Sequence, residues 1–493
     1  MRRTSQLVIL ISIVAVAVRL IAINQPFVDN WSWRQSDVAA IARNYFQGGF
    51  HFAHPQIDWA GDQPGYVGTE FPILPFLGAI SYKCFGINEW VGRIQAVIFF
   101  AISLPFFFLL VREMLGEISA TWTLLFYSLA PLGIMASRCF MPDTPSLALS
   151  LIGLYFFHRW IESEPDWLSF SLAAVAISLS ILIKLPSAII GAPLAGIAFQ
   201  RFRKPPLRLG AAFRHFRLWM FAAITLLPAA VWYWHAYQIS LQFYPHHFFG
   251  AGGVRLMPIA WYWTIAKKIP TLEVTPIVLL LGGVGLFTAR SESSARPFYA
   301  WLAAVVLFII VVGYGNRHPW YRLPLVPIAA VFAGSACAFF GTKISGRAAR
   351  LAASILVAAL GGLSALVAAR IYYHPIAAPL RDAGLRLKEI TAGDALIAAA
   401  DNGDPTLLYY GERKGWHCLE NGGIYNGDPD GSEPVIADLQ QLRGKGAKYV
   451  VFTSNTAWWL DLFPEIRQYL HANSALIAET SEFEIYRLDP ISK

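Results

Sequence analysis

The sequence predicts a mainly helical protein, in which a bundle of membrane-spanning helices is followed by a small soluble α/β domain. Composition predicts the bundle: 56% of the 493 residues are hydrophobic and 14% are charged, whereas soluble domains carry nearer a quarter charged residues. A change of pattern predicts the second domain, because short apolar runs alternate with polar turns near the C-terminus. We therefore expect a transmembrane domain over residues 1–371 and an α/β domain over residues 372–493.

Apolar runs long enough to cross a bilayer recur along the first domain. About 20 helical residues cross the hydrocarbon layer, and about eleven runs approach that length. Their approximate bounds are 6–24, 90–111, 118–137, 144–161, 167–184, 186–200, 218–239, 273–289, 298–315, 323–340 and 350–371. The first run resembles a signal peptide, but it contains Arg19 and no small-residue cleavage site follows. We therefore expect a retained first helix.

Basic residues in short connecting segments predict the orientation. Six Lys or Arg residues lie in 201–217, Arg2 and Arg3 precede the first run, and three more lie in 343–350. Short cytoplasmic loops carry such an excess, so we expect the N-terminus in the cytoplasm. The segments expected to face outward are 25–89, 138–143, 240–272 and the C-terminal domain. In a bacterium this describes a multi-pass inner (plasma) membrane protein with a periplasmic C-terminal domain.

The net charge and the cysteines indicate no other class of protein. The charge of +8 follows from topology-setting basic loops, so no nucleic-acid partner is expected. The four cysteines show neither metal-ligand spacing nor a disulfide framework. In the C-terminal domain, LIAAA (396–400), KYVVFTS (448–454) and FEIYRLD (483–489) are predicted strands, and LRDAGLRLKEI (380–390) is a predicted amphipathic helix.

The first outward segment combines aromatic, basic and acidic residues with helix-compatible sequence. WSWRQSDVAAIARNYF (31–46) contains no Gly or Pro, and we expect juxtamembrane helices around 31–88. The outward segment 25–89 contains the acidic residues Asp29, Asp37, Asp58, Asp62 and Glu70. Glu70 directly precedes an apolar helix that is too short to span the bilayer alone. A carboxylate there is poorly solvated unless it faces a cavity, and it can serve as a proton acceptor.

Further ionisable residues lie at the outer ends of predicted helices. Asp143 occurs in SRCFMPDTPSLAL and Lys184 in ILIKLPSA, while NRHPWYRLPLVP contains His318, Tyr321 and Arg322. Ionisable groups at a membrane boundary are costly unless they are solvated, paired or functional. Their concentration on one side predicts a polar cavity that opens outward.

Each of these residues also has a simpler interpretation. Asp143 precedes a helix and can be an N-cap, and Lys184 can extend to the interface. Asp58 and Asp62, in IDWAGDQPG, fit turn positions. Arg34 and Arg43 can bind lipid head groups without a catalytic role.

The arrangement resembles the GT-C superfamily of membrane glycosyltransferases. The resemblance covers essentially the whole chain and is strongest in AAIARNYFQGGF, TEFPILPFLGAI, SRCFMPDTPSLALSLIGLYFF and YRLPLVPIAAVFAG. Within this superfamily the chain is similar to the bacterial protein O-mannosyltransferase-like group, which includes the lipid A aminoarabinose transferases. The resemblance implies a GT-C fold and a donor in which a hexose or pentose is attached to polyprenyl phosphate. A lipid, glycan or protein acceptor would attack the anomeric carbon on the outer face in one inverting step.

This chemistry assigns provisional roles to the outer residues. A hydroxyl nucleophile needs a carboxylate base, and the leaving phosphate needs Arg or Lys. The catalytic candidates are Asp37, Glu70 and Asp143, and the substrate-binding candidates are Asp29, Arg34, Lys184, His318, Tyr321 and Arg322. No metal ligand is assigned, although clustered carboxylates are also compatible with a divalent ion.

Two positions depart from the family pattern. Arg34 and Gln35 stand where relatives carry an Asp-Glu pair at the start of the first outer helix, so the family pattern does not assign the base. The nearest acids are Asp29 before this position and Asp37, which is about one helical turn (roughly 5.4 Å) further along. Phe71 stands where relatives have Lys after the Glu of the Glu-x-Pro element. The phosphate-binding cation must then come from Arg34, Lys184 or Arg322, with Arg138 and Arg255 as further candidates.

Two other functions fit part of the pattern. A transporter or flippase of a lipid-linked substrate often has internal repeats and helices broken at mid-membrane, and the chain contains no evident repeat. A polymerase or ligase for lipid-linked glycans would share the donor and most of the same physical requirements. The sequence leaves the sugar, the acceptor and metal dependence open.

Overall fold

The computed structural model describes residues 2–163, 166–203, 215–248 and 254–490. Most of the basic segment 201–217, used above to predict orientation, lies outside the described residues. The chain forms two compact units. The helical unit comprises Met1–Ile23, Arg93–Trp232 and Gly250–Ile371. The mixed unit comprises Asn24–Gly92, Tyr233–Phe249 and Tyr372–Lys493.

The described helices and strands account for both units. In chain order the helices are α1 (Arg2–Leu20), α2 (Ser32–Gly48), α3 (Ile73–Phe85), α4 (Glu89–Leu115), α5 (Glu117–Leu129), α6 (Pro131–Ala136), α7 (Asp143–Glu162), α8 (Trp167–Ile183), α9 (Gly191–Arg203), α10 (Phe216–Gln242), α11 (Ile259–Lys268), α12 (Pro276–Thr288), α13 (Arg296–Val312), α14 (Leu325–Lys343), α15 (Arg347–Ala369), α16 (Ala378–Ile390), α17 (Thr406–Gly411), α18 (Ser432–Gly444), α19 (Ala457–Leu462) and α20 (Pro464–Asn473). The strands are β1 (Ile397–Ala400), β2 (Gly415–His417), β3 (Glu420–Asn421), β4 (Ile424–Tyr425), β5 (Tyr449–Thr453), β6 (Ser474–Glu479) and β7 (Phe483–Leu488).

Each apolar run predicted from the sequence contains helix, and the fold is the predicted multi-pass type. Among the described residues, five helices are long and apolar enough to span a membrane alone, or six if one bent pair forms a single span. That pair, Ile259–Glu273 and Pro276–Ser291, bends by 110°. Other runs are shorter because they are interrupted: Pro131 begins α6 directly after α5, and α8 ends just before Lys184 and Pro186. Proline removes a backbone donor, which explains such breaks.

Small and hydroxyl residues bring α7 and α8 together in the helical unit. A Cβ at Gly153 would lie 2.5 Å from Ile177, so only glycine permits this approach. The hydroxyl of Ser146 donates to the carbonyl of Ser180 at 2.8 Å, and the hydroxyl of Ser180 donates to the carbonyl of Ser146 at 2.8 Å. These reciprocal bonds fix the first turn of α7 against the last turn of α8.

The mixed unit is built on a five-stranded sheet of order β2-β1-β5-β7-β6. Strand β1 runs parallel to β2 and β5, whereas β7 is antiparallel to both β5 and β6. The predicted strands at 396–400, 448–454 and 483–489 become β1, β5 and β7, and the predicted helix 380–390 lies in α16. The predicted C-terminal sheet is therefore confirmed.

Two hydrophobic cores cover the faces of this sheet. On one face, Ile41 and Tyr45 of α2 pack in the same core as Ile397 and Ile485 of the sheet. On the other face, Trp416 packs with α18 and α20 residues. The predicted helix at 31–46 is present as α2, and most of its residues are buried in the mixed unit. The structure thus groups residues 24–92 with the C-terminal residues, whereas the division at 371/372 stays a prediction.

Candidate active site

The site residues predicted from the sequence fall into two groups, one in each unit. The mixed unit contains Asp29, Arg34, Asp37 and Glu70. The helical unit contains Asp143, Lys184, His318, Tyr321 and Arg322.

Arg34 of α2 joins the two carboxylates predicted to be catalytic in the mixed unit. Its Nη2 donates to both oxygens of Glu70, at 2.7 and 2.8 Å. Its Nη1 lies 3.6 Å from Oδ2 of Asp37, one helical turn further along. Arg34 is 4% exposed, so the alternative role of binding lipid head groups does not fit its position. Two acids therefore face one guanidinium in this group.

Asp37 is a buried carboxylate with a defined orientation. The indole N–H of Trp59 donates to its Oδ1 at 3.1 Å. Burial raises the pKa of Asp37 to about 6, although Arg34, the Trp59 N–H and His417 favour the ionised form. A carboxyl group with this pKa is mostly ionised at neutral pH and accepts a proton more readily than an exposed aspartate.

Asp29 supports the start of α2. Its Oδ1 accepts from the backbone N–H of Trp31 at 3.2 Å and from Nε2 of Gln35 at 2.8 Å. Gln35 therefore donates to Asp29, and both side chains belong to the start of this helix.

Three further charged or aromatic residues of the mixed unit were missed by the sequence analysis. Nδ1 of His417 lies 2.8 and 2.9 Å from the two oxygens of Asp401, and both residues are buried. The Trp59 ring packs on His417, with ring centroids 5.2 Å apart and a tilt of 37°. One signal was available: Asp401 directly follows the predicted strand LIAAA, and the ends of parallel strands are common sites for functional residues.

A short backbone pairing holds Trp59 against β2. The N–H of Gly415 donates to the carbonyl of Asp58 at 3.0 Å, and the N–H of Gly61 donates to the carbonyl of Gly415 at 2.7 Å. Gly61 has φ +61°, and a Cβ there would lie 1.9 Å from the Trp416 ring. This position therefore requires glycine both for its backbone conformation and for its close contact.

Asp58 is part of a buried ion pair. It is 2% exposed and accepts from Arg43 and from Nδ2 of Asn44. Asp58 does lie in a bend of the chain, but its carboxylate is buried and paired, and the interpretation of Arg43 as a lipid contact does not fit this burial. Asp62, four residues later, is exposed in a turn as expected.

Asp143 and Lys184 form a buried ion pair in the helical unit. Nζ of Lys184 lies 2.7 Å from Oδ1 of Asp143, and the two residues are 6% and 4% exposed. Asp143 is the first residue of α7 and makes no capping hydrogen bond. Neither the capping interpretation of Asp143 nor the interfacial interpretation of Lys184 describes this geometry. The serine contacts between α7 and α8 bring the two residues together.

A cavity with one polar end adjoins this pair. Asp143, Lys184, Ser187 and Tyr321 line the polar part, and Nζ of Lys184 lies 4.8 Å from the centre of the Tyr321 ring. The remaining lining is largely apolar and includes Leu147, Ile189, Ile190, Trp301, Phe308 and Leu323. The lining thus combines a charged pair with apolar side chains.

Arg322 and His318 have other contacts in the same unit. Arg322 pairs with Glu273, with Nη2 2.6 Å and Nε 2.8 Å from Oε1, and both side chains are about 1% exposed. Glu273 was not among the candidates. The His318 ring stacks on Trp320 with centroids 4.4 Å apart.

The two further candidates for the phosphate-binding cation are Arg138 and Arg255. Arg138 is buried and donates to the carbonyl of Ala22 at 2.7 Å, whereas Arg255 is exposed. Within the described ranges, no group of three or more His, Cys, Asp or Glu residues has the geometry to hold a metal ion.

The architecture is that of the GT-C fold. The structure of ArnT from Cupriavidus metallidurans in the apo state matches with a TM-score of 0.67 and 15% identity, over 98% of each chain. The ArnT structure bound to undecaprenyl phosphate matches with a TM-score of 0.64 and 15% identity, over 97% of each chain. The archaeal oligosaccharyltransferase AglB from Archaeoglobus fulgidus, in complex with an inhibitory peptide and a dolichol-phosphate, gives 0.57 and 11%, over 99% of this chain and 74% of AglB.

The sequence comparisons agree with this fold. The profile of the family described as dolichyl-phosphate-mannose-protein mannosyltransferase matches residues 62–234, which is less than half of the chain. No curated protein sequence matches. Together with the fold, the profile match indicates a membrane glycosyltransferase of the GT-C superfamily, as the sequence motifs predict.

Proposed function

We propose that the protein transfers a sugar from a polyprenyl-phosphate donor to an acceptor on the periplasmic face of a bacterial inner membrane. The observation that carries this proposal is the buried group in which Arg34 contacts Glu70 and Asp37. It combines a proton acceptor and a cation in a site of low dielectric constant, where charge stabilisation is strongest.

Asp37 is the proposed general base. The acceptor hydroxyl attacks the anomeric carbon while its proton passes to the Asp37 carboxylate, and the bond to the phosphate oxygen breaks on the opposite side. The lipid phosphate leaves with the electron pair of that bond, so the configuration at the sugar inverts. The pKa of about 6 supports this role, since the group is ionised at neutral pH and still accepts a proton.

Glu70 and Arg34 are proposed to support the base. Glu70 accepts two hydrogen bonds from a single guanidinium nitrogen and so fixes the orientation of Arg34. Arg34 in turn favours the ionised form of Asp37.

Lys184 is the proposed ligand of the donor phosphate. Asp143 orients its ammonium group, and the apolar lining of the adjoining cavity suits an isoprenoid chain. ArnT with undecaprenyl phosphate and AglB with a dolichol-phosphate have the same fold, which supports a lipid phosphate as the carrier.

The proposal is tested with purified protein in lipid nanodiscs and a panel of undecaprenyl-phosphate-linked hexoses and pentoses. The assay measures release of undecaprenyl phosphate in the presence of lipid A, surface glycan or peptide acceptors. We expect Asp37→Asn to lower turnover at least about 100-fold. Asp62→Asn is the matched control, because Asp62 lies in the same segment but is exposed. Wild-type turnover by Asp37→Asn would overturn the assignment of the base.

A second measurement separates transfer from transport. In proteoliposomes, the proposed enzyme releases lipid phosphate and forms a glycosylated acceptor. Movement of the intact lipid-linked sugar across the bilayer without release would instead identify a transporter.

A further inference from the structure

Two residues of the C-terminal sheet face each other at one end of the sheet. Asp401 directly follows β1 and His417 ends β2, and these strands are parallel neighbours. Their carboxyl ends therefore meet at the same edge, which brings the imidazole within 2.8 Å of the carboxylate. Asp401 also accepts from the backbone N–H of Gly403 at 3.0 Å, so its own orientation is fixed.

Trp59 connects this pair with Asp37. Its ring packs on His417 and makes a T-shaped contact with His247, whose ring centroid lies 5.5 Å away. Its N–H donates to Asp37. The backbone pairing between Asp58, Gly61 and Gly415 fixes the position of the ring. A displacement of His417 would therefore change the direction of the N–H that holds Asp37.

From these contacts we infer that His417 and Asp401 are positioning residues of the transferase, which orient the Asp37 carboxylate through Trp59 and stabilise its negative charge. The inference rests on the proposed role of Asp37 as the base. It assigns to the C-terminal domain a direct part in the reaction, in addition to any binding of acceptor.

The charges around the network support this role. Asp37 faces Arg34, Glu70 and His417, and His417 faces the carboxylates of Asp401, Asp37 and Asp404. Burial opposes the imidazolium, but these three carboxylates outweigh it and raise the pKa of His417. A protonated His417 therefore places a second positive charge near Asp37, in addition to that of Arg34. This charge favours the ionised form of Asp37.

His247 has the opposite property. Burial, together with the positive charges of Arg34 and His417, lowers the pKa of His247 to about 4 despite the presence of Glu70. It is neutral at physiological pH and contacts Trp59 as an aromatic ring. Of these two histidines, His417 is thus the one whose pKa is raised.

The direction of the expected pH effect follows from these charges. Replacing His417 with Gln removes a cation beside Asp37, so the pKa of Asp37 rises. The reaction requires ionised Asp37, and the acid limb of the kcat/KM profile should then move to higher pH. Asp401→Asn acts in the same direction, because His417 without its carboxylate loses its proton more easily.

The experiment measures kcat and KM between pH 5 and 9, with the lipid-linked sugar that the panel described above identifies. We expect His417→Gln and Asp401→Asn to shift the acid limb upward by about half a pH unit or more and to lower kcat about tenfold. The KM for the donor should change less than about twofold. His471→Gln, an exposed histidine on α20, is the matched control and should retain the wild-type profile.

A second variant keeps the test decisive if His417→Gln fails to fold. Trp59→Phe keeps an aromatic ring beside His417 but lacks the N–H that holds Asp37, so it should shift the acid limb of the pH profile in the same way. Trp458→Phe, at an exposed site, is the control and should not shift it. An unchanged pH profile in these variants, with Asp37→Asn inactive, would overturn this inference alone. Wild-type turnover by Asp37→Asn, or a panel that gives no release of lipid phosphate, would overturn the proposed function and this inference with it.

Discussion

Nη2 of Arg34 donates to both carboxylate oxygens of Glu70, at 2.7 and 2.8 Å. Glu70 was a catalytic candidate because of its place before a short apolar helix. In the proposed reaction its contact with Arg34 gives it a supporting role, because it holds the guanidinium that also faces Asp37.

Replacement of Glu70 by Gln should separate these roles. The variant removes the carboxylate that accepts two hydrogen bonds from Nη2 of Arg34. We therefore expect turnover to fall about 10- to 100-fold and the thermal midpoint to decrease. A supporting role predicts that the acid limb of the pH profile remains, because Asp37 still titrates. Disappearance of that limb in Glu70→Gln would make Glu70 the base. Glu479→Gln, at an exposed site on β6, is the control.

Lys184→Ala should weaken binding of undecaprenyl phosphate itself, measured by native mass spectrometry or by displacement of a fluorescent analogue. We expect a loss of affinity of about tenfold or more, because a buried charge-assisted contact with phosphate is lost. Lys343→Ala, at the exposed end of α14, should bind as the wild type does. Equal affinity of Lys184→Ala and wild type would remove Lys184 from the donor site.

The Asp143–Lys184 pair also predicts a stability pattern. Asp143→Asn leaves a buried ammonium without its carboxylate, which typically costs about 3–5 kcal/mol. The double variant Asp143→Asn with Lys184→Met removes both charges and should be more stable than the single variant. Thermal unfolding in one detergent compares four proteins, namely wild type, Asp143→Asn, Lys184→Met and the double variant, and additive losses would contradict a direct pair.

Asp438 predicts a pH-dependent difference in stability away from the proposed site. Burial raises its pKa from 3.8 to about 6, with Glu420 adding to the shift. A raised carboxyl pKa means that the folded state binds more protons than the unfolded state between these values. Its contribution to stability is therefore present at low pH and is lost as the pH rises through 6.

Asp438→Asn should consequently gain stability relative to wild type as the pH increases from 5 to 7.5, by about 1–3 kcal/mol at the upper end. The Asn side chain can still accept the hydrogen bond that the Leu419 N–H donates at 2.6 Å. Glu433→Gln, an exposed acid on the same helix, is the control. If the difference in stability between Asp438→Asn and wild type did not change with pH, the pKa of Asp438 would not be raised in the folded state.

Gly61→Ala tests the backbone pairing that positions Trp59. The new Cβ meets the Trp416 ring, and the left-handed backbone is strained as well, so we expect a loss of about 1–3 kcal/mol and reduced turnover. Gly427→Ala is the matched control, because Gly427 has φ +105° with nothing within 4 Å. A similar loss of turnover in both variants would attribute the effect to strain alone.

The sequence predicts the helices because their apolar runs are local patterns. The strands at LIAAA and FEIYRLD are predicted for the same reason. The pairing of side chains from different helices is not a local pattern. Asp143 and Lys184 were each candidates, but their contact depends on how α7 packs on α8 through Ser146 and Ser180. No local signal records that packing.

The residues that the sequence analysis missed are those whose surroundings form only in three dimensions. Asp58 lies in a turn-like sequence, yet the folded mixed unit encloses it with Arg43. His417 is the last residue of a three-residue strand that is too short to predict, and its relation to Trp59 depends on chain segments more than 350 residues apart. The enclosure of α2 by the sheet is likewise a long-range property.

The grouping of Asn24–Gly92 with Tyr372–Lys493 affects the order in which the protein can be made. During synthesis the first of these segments leaves the ribosome roughly 280 residues before the second. Until then Ile41 and Tyr45 lack the sheet residues that bury them. The buried surroundings of Asp37 are therefore among the last parts of the chain to form, and in a nascent chain that stops before residue 372 this carboxylate is not enclosed.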